Sequence, residues 1–405
     1  MRPSARLWPG LRAASLNALI TLIAIIAGYL IIELIFFRVF LPNVELQSRP
    51  HLPETAGVLL QRSKAGFVPQ NYVAVLGDSY AEGLGNWLLK NGGNEALPFG
   101  SVDVLHAILR RDVVSFGRGG AGNAEGFVRQ PARILAGSHC LIFPTIPEPD
   151  QIIAYFYEGN DIEDNLRFLQ RVHQRFGKSD TTAIDQFLST EYAHFSFWQC
   201  RLQLGDTISR MTRFLFAYRN LKLSDLTETL SGPNKVIVGQ AELDVPLVEA
   251  PPMQLDDDDI RKGLAVFERS LLWLRHRFPA ISITVVYIPA PLTVYRKANP
   301  TVHYRYETND ELFTSTAGSA ALERKSDQMC SWVRDMTTKA GARFLDSRPA
   351  ARAVAADNFI HGPDEWEHYN ELGYRTLATF LAQALSRSGD SDRCSAQAPP
   401  TQAGP

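Results

Sequence analysis

The hydrophobic pattern divides the chain into a continuous apolar block and a longer part of mixed rhythm. From Leu16 to Phe37 the sequence LNALITLIAIIAGYLIIELIFF places strongly polar side chains only at Asn17, Thr21 and Glu33. A helix needs about 20 such residues to cross the hydrocarbon core of a bilayer, so residues 16–37 are expected to form a transmembrane anchor. A cleaved secretion signal would close a shorter apolar run with small residues, whereas here large residues continue through IIELIFFRVFL. Arg2, Arg6 and Arg12 precede the block and only Arg38 follows it closely. That imbalance assigns residues 1–15 to the cytoplasm and the bulk of the chain to the far side of the membrane, the periplasmic face in a bacterial cell. Prolines and weak periodicity make residues 38–70 read as a linker.

After Gln70 short apolar runs alternate with helical spacing. Tyr72–Leu76, Asp112–Phe116, Gln151–Tyr157, Ile281–Ile288 and Ala342–Leu345 read as strands. Val102–Arg110, Ala124–Leu135, Ile260–Arg277, Ala320–Lys339 and Asn370–Leu385 read as helices. Strands that alternate with helices imply a five-stranded parallel sheet covered on both faces, a three-layer α/β/α sandwich over residues 71–386. The interval 163–253 breaks this rhythm and is expected to be a largely helical insertion. Residues 387–405 are small and polar and read as a disordered tail.

The formal net charge is −2, with acidic and basic residues interspersed. No basic stripe follows a face, which argues against nucleic acid as a partner. Cys140, Cys200, Cys330 and Cys394 lack metal-ligand spacing and are compatible with disulfides outside the cytoplasm. Their pairing is open at this level, and no pattern assigns an oligomeric state. The run Asp256–Asp259 suits a helix start, where carboxylates favour the positive end of the helix dipole.

In an open parallel sheet, ligands bind beyond the carboxyl ends of the strands. The first predicted strand ends in Gly77-Asp78-Ser79-Tyr80, the second in Ser115-Phe116-Gly117-Arg118-Gly119-Gly120, and the third in Glu158-Gly159-Asn160-Asp161. A serine directly after a buried strand is a candidate nucleophile, though Gly-Asp-Ser alone is also a common turn and helix cap. The glycine-rich run lacks the Lys-Ser/Thr ending of a nucleotide-binding loop, and its backbone N–H groups could instead face an oxyanion. Ahead of the last predicted helix, Asp364-Glu365-Trp366-Glu367-His368 puts a histidine beside carboxylates, the grouping a general base requires.

Taken in order, these four segments resemble the SGNH, or GDSL-type, hydrolase superfamily, and YFYEGNDIEDN and VVYIPAPLTVYR are similar to phrases of its membrane-anchored bacterial members. The resemblance runs from about Tyr72 to Leu385, outside the insertion. It implies a flavodoxin-like fold with Ser79 as nucleophile, Gly120 and Asn160 as oxyanion donors and His368 as base. The acid falls on Glu365 by its spacing, where the family carries aspartate, with Asp364 as the rival. Two further departures are Ser115 at a usual asparagine and Glu158 at a usual glycine. His361 is the alternative base, without the Asn and Gly that follow His368. No metal or organic cofactor is implied. The expected activity is hydrolysis of an envelope ester, an O-acyl carbohydrate or a lipid. Acyl transfer on the same residues and a catalytically silent binding module stand as alternatives.

Overall fold

The computed structural model describes residues 8–41, 52–85, 100–194, 203–205, 207–209, 212, 232–308, 311–363, 365–386 and 394. Asp364, the expected disordered tail apart from Cys394, and much of the expected insertion lie outside the described residues. A single sheet organises the domain. Its strands are β1 (Val73–Leu76), β2 (Val113–Ser115), β3 (Gln151–Tyr157), β4 (Ser282–Ile288) and β5 (Arg343–Asp346). All pair in parallel, in the order β5-β4-β3-β1-β2. This is the flavodoxin-like order, with the switch point between β1 and β3.

Alternation along β3 explains the two covering layers. Ile152, Ala154 and Phe156 face one core, with Ile134, Leu264, Phe267, Leu271, Met329 and Val333. Ile153, Tyr155 and Tyr157 face the other, with Val102, Leu105, Leu377 and Leu381. A strand buried on both faces must be apolar throughout, as QIIAYFY nearly is. In chain order the helices used below are α1 (Trp8–Ile35), α2 (Glu54–Leu59), α3 (Ser79–Glu82), α4 (Ser101–Leu109), α5 (Gln130–Gly137), α6 (Asp161–Phe176), α7 (Asp257–Arg277), α8 (Ser319–Lys339) and α9 (Glu371–Ser386). The first layer is built from α5, α7 and α8, the second from α4 and α9.

Two stretches differ in character from the sequence reading. Within the expected linker, Ala56, Val58 and Leu59 of α2 are buried in the first core. Gln61 exchanges both hydrogen bonds of its amide with the backbone of Ser115 (2.6 and 2.7 Å). Ser63 O accepts from Val113 N at 2.9 Å. From Leu52 onward this segment is therefore part of the domain, and scattered apolar residues too few to show a period fix it there. The interval read as a helical insertion is helical at Asp161–Phe176 and Thr181–Phe187 but ends in strands Asn234–Val238, Ala241–Val245 and Val248–Glu249. The last of these pairs with a hairpin of Thr301–Thr308 and Glu311–Gly318. Cys330 and Cys394 form a disulfide, and Cys140 is also disulfide-bonded.

α1 is long and apolar enough to cross a membrane, by length and composition. Leu16, Ile23, Ile25 and Ile32 along it are more than half exposed.

Candidate active site

Ser79 begins α3 directly beyond β1. Asp78 caps that short helix, its Oδ1 accepting from Tyr80 N at 3.0 Å. Asp78 is buried, and burial pushes its carboxyl up to about 7 against the lowering influence of His368. Ser79 is buried, 7 % exposed, and stands at the carboxyl edge of the sheet.

The turn after β2 packs against this helix. A Cβ placed on Gly119 would lie 4.0 Å from Ser79 Cβ. Gly119 N donates to Glu82 Oε2 at 2.5 Å, which leaves that amide occupied. The next residue, Gly120, sits at φ +69 with nothing within 4 Å of where a Cβ would be. Its N–H has no partner among the described residues, and the left-handed backbone there favours glycine. Ser115 replaces the expected asparagine with bonds of its own: its Oγ donates to Ala81 O (2.5 Å) and accepts from Gly117 N (3.0 Å).

Beyond β3, Asn160 precedes α6. Its Oδ1 is buried without a partner among the described residues. Asp161 accepts from Tyr157 N and from Asn123 Nδ2, both at 2.8 Å. Asn165 Nδ2 in turn donates to Asn123 Oδ1 at 2.7 Å. This network ties the glycine-rich turn to the strand that carries Asn160. Glu158, at the usual glycine position, is fully buried and structural. It accepts from Tyr287 OH (2.8 Å), Ala290 N (2.8 Å) and Thr293 Oγ1 (2.7 Å), clamping β3 to the turn after β4.

The loop before α9 brings in His368. Glu365 Oε1 lies 3.1 Å from His368 Nδ1 and also accepts from Glu367 N (2.6 Å) and His368 N (3.0 Å). Burial disfavours the charged ring, but the Glu365 hydrogen bond and the charges of Glu365, Glu367 and Asp78 outweigh it and raise the imidazole to about 9. The Tyr80 ring lies 5.3 Å from the His368 ring, and Tyr80 OH donates to Glu367 O at 2.6 Å. Gly85, after α3, approaches so closely that a Cβ would meet Tyr369 O at 2.6 Å and His368 Cβ at 3.5 Å. Tyr374 OH donates to Leu84 O at 2.5 Å. The serine and histidine loops are thus stitched together. No hydrogen bond joins Ser79 Oγ to the ring among the described residues, and such bonds often tighten only when substrate binds.

His361 is held elsewhere. Tyr295 OH accepts from Ile360 N and His361 N, each at 3.0 Å, so its own proton goes to His361 Nδ1 at 3.0 Å. The ring proton then sits on Nε2, which is buried without a partner among the described residues. Burial, with the charge of His368, drives this imidazole down to about 3.

Sequence reasoning missed the groups that the inserted strands bring to the cleft. Glu249 is paired across from Arg305 in register. Arg305 contacts Glu367, beside His368. Tyr157 OH donates to Glu249 Oε2 at 2.7 Å. Burial and the neighbouring Glu367 raise Glu249 to about 7, and burial with Glu249 raises Glu163 to about 8. Part of the signal was present: in TVHYRYET, Val302, Tyr304 and Tyr306 alternate with polar residues, the period of a half-buried strand. Ligand atoms of Glu365, Glu367 and His368 come within 4.8 Å of one another. Glu365 already serves His368, however, and Glu367 serves Arg305.

No protein-family model matches this chain, and no curated protein matches it. Among solved structures it is similar to a mutant of Axe2, an acetyl-xylooligosaccharide esterase from Geobacillus Stearmophilus, at 12 % identity and a TM-score of 0.34, over 80 % of this chain and 99 % of that one. It is similar to LAE5, an alpha/beta hydrolase enzyme from the metagenome of Lake Arreo, Spain, at 13 % and 0.33, over 79 % and 98 %. An extracellular lipase from Streptomyces rimosus matches at 12 % and 0.37, over 77 % and 98 %. These likenesses are too remote to bear on chemistry, which rests on the residues themselves.

Proposed function

We propose that this chain is a membrane-anchored serine ester hydrolase of the SGNH type. The observation that carries the reading is that Ser79, Gly120, whose N–H has no partner among the described residues, and Asn160 all follow strands at the carboxyl edge of the sheet, where the loop with the Glu365-oriented His368 packs against the turn after α3. His368 Nε2 takes the proton of Ser79 Oγ as that oxygen attacks the ester carbonyl. The oxyanion is held by N–H groups of Ser79, Gly120 and Asn160, donors fixed before the charge develops. His368 returns the proton to the departing alcohol, and water releases the acyl group by the same path. Glu365 fixes the ring and offsets its charge, as the acid of a triad does.

The substrate is read as a small acyl group, acetyl foremost, on a polar alcohol. Glu249 and Glu367 act on His368, and Arg305 pairs with Glu367, polar surroundings suited to hydroxyl groups rather than to a long acyl chain. The anchor is placed in the inner membrane with the domain on the periplasmic side. The test is hydrolysis of p-nitrophenyl acetate by the full chain, with fluorophosphonate labelling of Ser79. Turnover and labelling lost together in Ser79→Ala, with folding retained, is the expected result. A wild-type protein that neither turns over the ester nor takes the label overturns the reading.

A further inference from the structure

The anchor is not a loose tether. Past α1 a π-helical turn, Phe36–Phe40, continues into the domain. Phe37 is fully buried, its ring 4.9 Å from that of Phe143. Arg38 donates to Leu141 O (2.9 Å) and Phe143 O (3.1 Å). Lower on the helix, Glu33 accepts from Leu204 N (2.9 Å) and Tyr29 OH accepts from Gly205 N (3.1 Å). These contacts run from Tyr29 to Arg38, nearly three turns of helix, and hold it against the domain.

The residues gripped by Arg38 belong to the amino edge of the sheet. They follow α5 and precede β3. Nearby, Asp150 N donates to Tyr72 O just ahead of β1, Tyr72 OH donates to Pro147 O, and Glu148 pairs with Arg277 at the end of α7. Ser79, Gly120 and Asn160 occupy the opposite edge. The seven residues of β3 separate the two edges, about 20 Å at ~3.3 Å per residue. Where the anchor enters, the surface is apolar: Leu141 is 80 % exposed, Val39 58 % and Phe40 57 %. An exposed apolar rim beside a membrane helix is what an interface with lipid requires.

We infer that the domain stands on the bilayer by its Leu141 edge, with the Ser79 cleft turned to the aqueous side. The substrate is then an O-acyl ester on a hydrated polymer or oligomer, not an ester of the bilayer's own lipids. This deepens the esterase reading and rests on it for the chemistry, while the orientation stands on the anchor contacts alone.

The test uses the full chain in phosphatidylcholine vesicles that contain a headgroup-labelled acceptor lipid. A donor dye is attached through p-azidophenylalanine introduced in place of Leu141 or, separately, of Arg118, which follows β2 at the cleft edge. Energy transfer several-fold stronger from position 141 than from 118 is expected, and equal transfer from both overturns the orientation. Vesicles of the same composition carrying the unsubstituted chain are given acetylated xylan in solution. Release of acetate with the vesicle lipid left intact is expected, and hydrolysis of the lipid overturns the substrate class. Loss of all hydrolysis with the transfer contrast intact removes the esterase reading and leaves the orientation standing.

Discussion

Two histidine-bearing stretches of one loop, at His361 and at His368, lie seven residues apart in sequence and are perturbed in opposite directions. His361 meets a neutral phenol and is driven down to about 3 by burial. His368 is opposed by burial too, yet the Glu365 carboxylate at 3.1 Å and its acidic neighbours carry it to about 9. Burial alone holds the His361 ring neutral, whereas burial with a carboxylate on Nδ1 favours the charged ring of His368, and the proposed base role rests on that carboxylate. The same contrast separates two glutamates. Glu158 is consumed by three donors, whereas Glu365 is aimed at a ring.

The largest expected break comes from His368→Ala, which should lower kcat/KM on p-nitrophenyl acetate by roughly 10⁴-fold with the thermal midpoint little changed. A loss under tenfold would remove His368 from the base role. Glu365→Gln should follow with a loss of about 10²-fold. Because the carboxylate raises the imidazole, the alkaline-going inflection of the wild-type profile, near 9, should move to lower pH in this variant. An unmoved inflection would transfer the acid role away from Glu365.

Tyr295→Phe should leave the pH–rate profile unchanged but strand two buried N–H groups, at a cost of about 2–3 kcal/mol in denaturant unfolding. His361→Phe should have the smallest effect, within about 1 kcal/mol near pH 6.5. Its signature is pH dependence. His361 has a folded value below the usual 6.5, so its contribution is present above pH 6.5 and lost as pH falls towards 3. His368 has a folded value above 6.5, so its contribution is present below pH 6.5 and lost as pH rises towards 9. The wild type should therefore lose stability in both directions from about 6.5 on account of these two groups, and His361→Phe should flatten only the acid limb.

The five sheet strands were legible to within a residue or so, since strands buried on both faces must be apolar and short. The sequence also singled out Ser79, His368 and Glu365; the first begins α3 and the other two meet in the loop ahead of α9, and the roles given to them are the proposal made above. The inserted strands were harder to see. Val248–Glu249 is too short to show any alternation, and it acquires its place only by pairing with Thr301–Thr308, far along the chain. Glu249 and Arg305 reach the cleft through that pairing, which no local pattern encodes. The following Asn370 and Gly373 set His368 apart from His361 in the sequence, but the carboxylate contact itself depends on how the loop folds back.

The reciprocal amide pairing of Gln61 with Ser115, and the bond from Val113 to Ser63, cover the outer side of β2, the last strand on that flank of the sheet. An uncovered edge strand offers its unpaired N–H and C=O groups to any other chain. A soluble version cut at Gln70, where the prolines invite the cut, would be born with such an edge and is expected to associate with its own kind. One that keeps Leu52 onward retains its guard, so the segment ahead of the sheet decides whether the domain can live in solution as a single molecule.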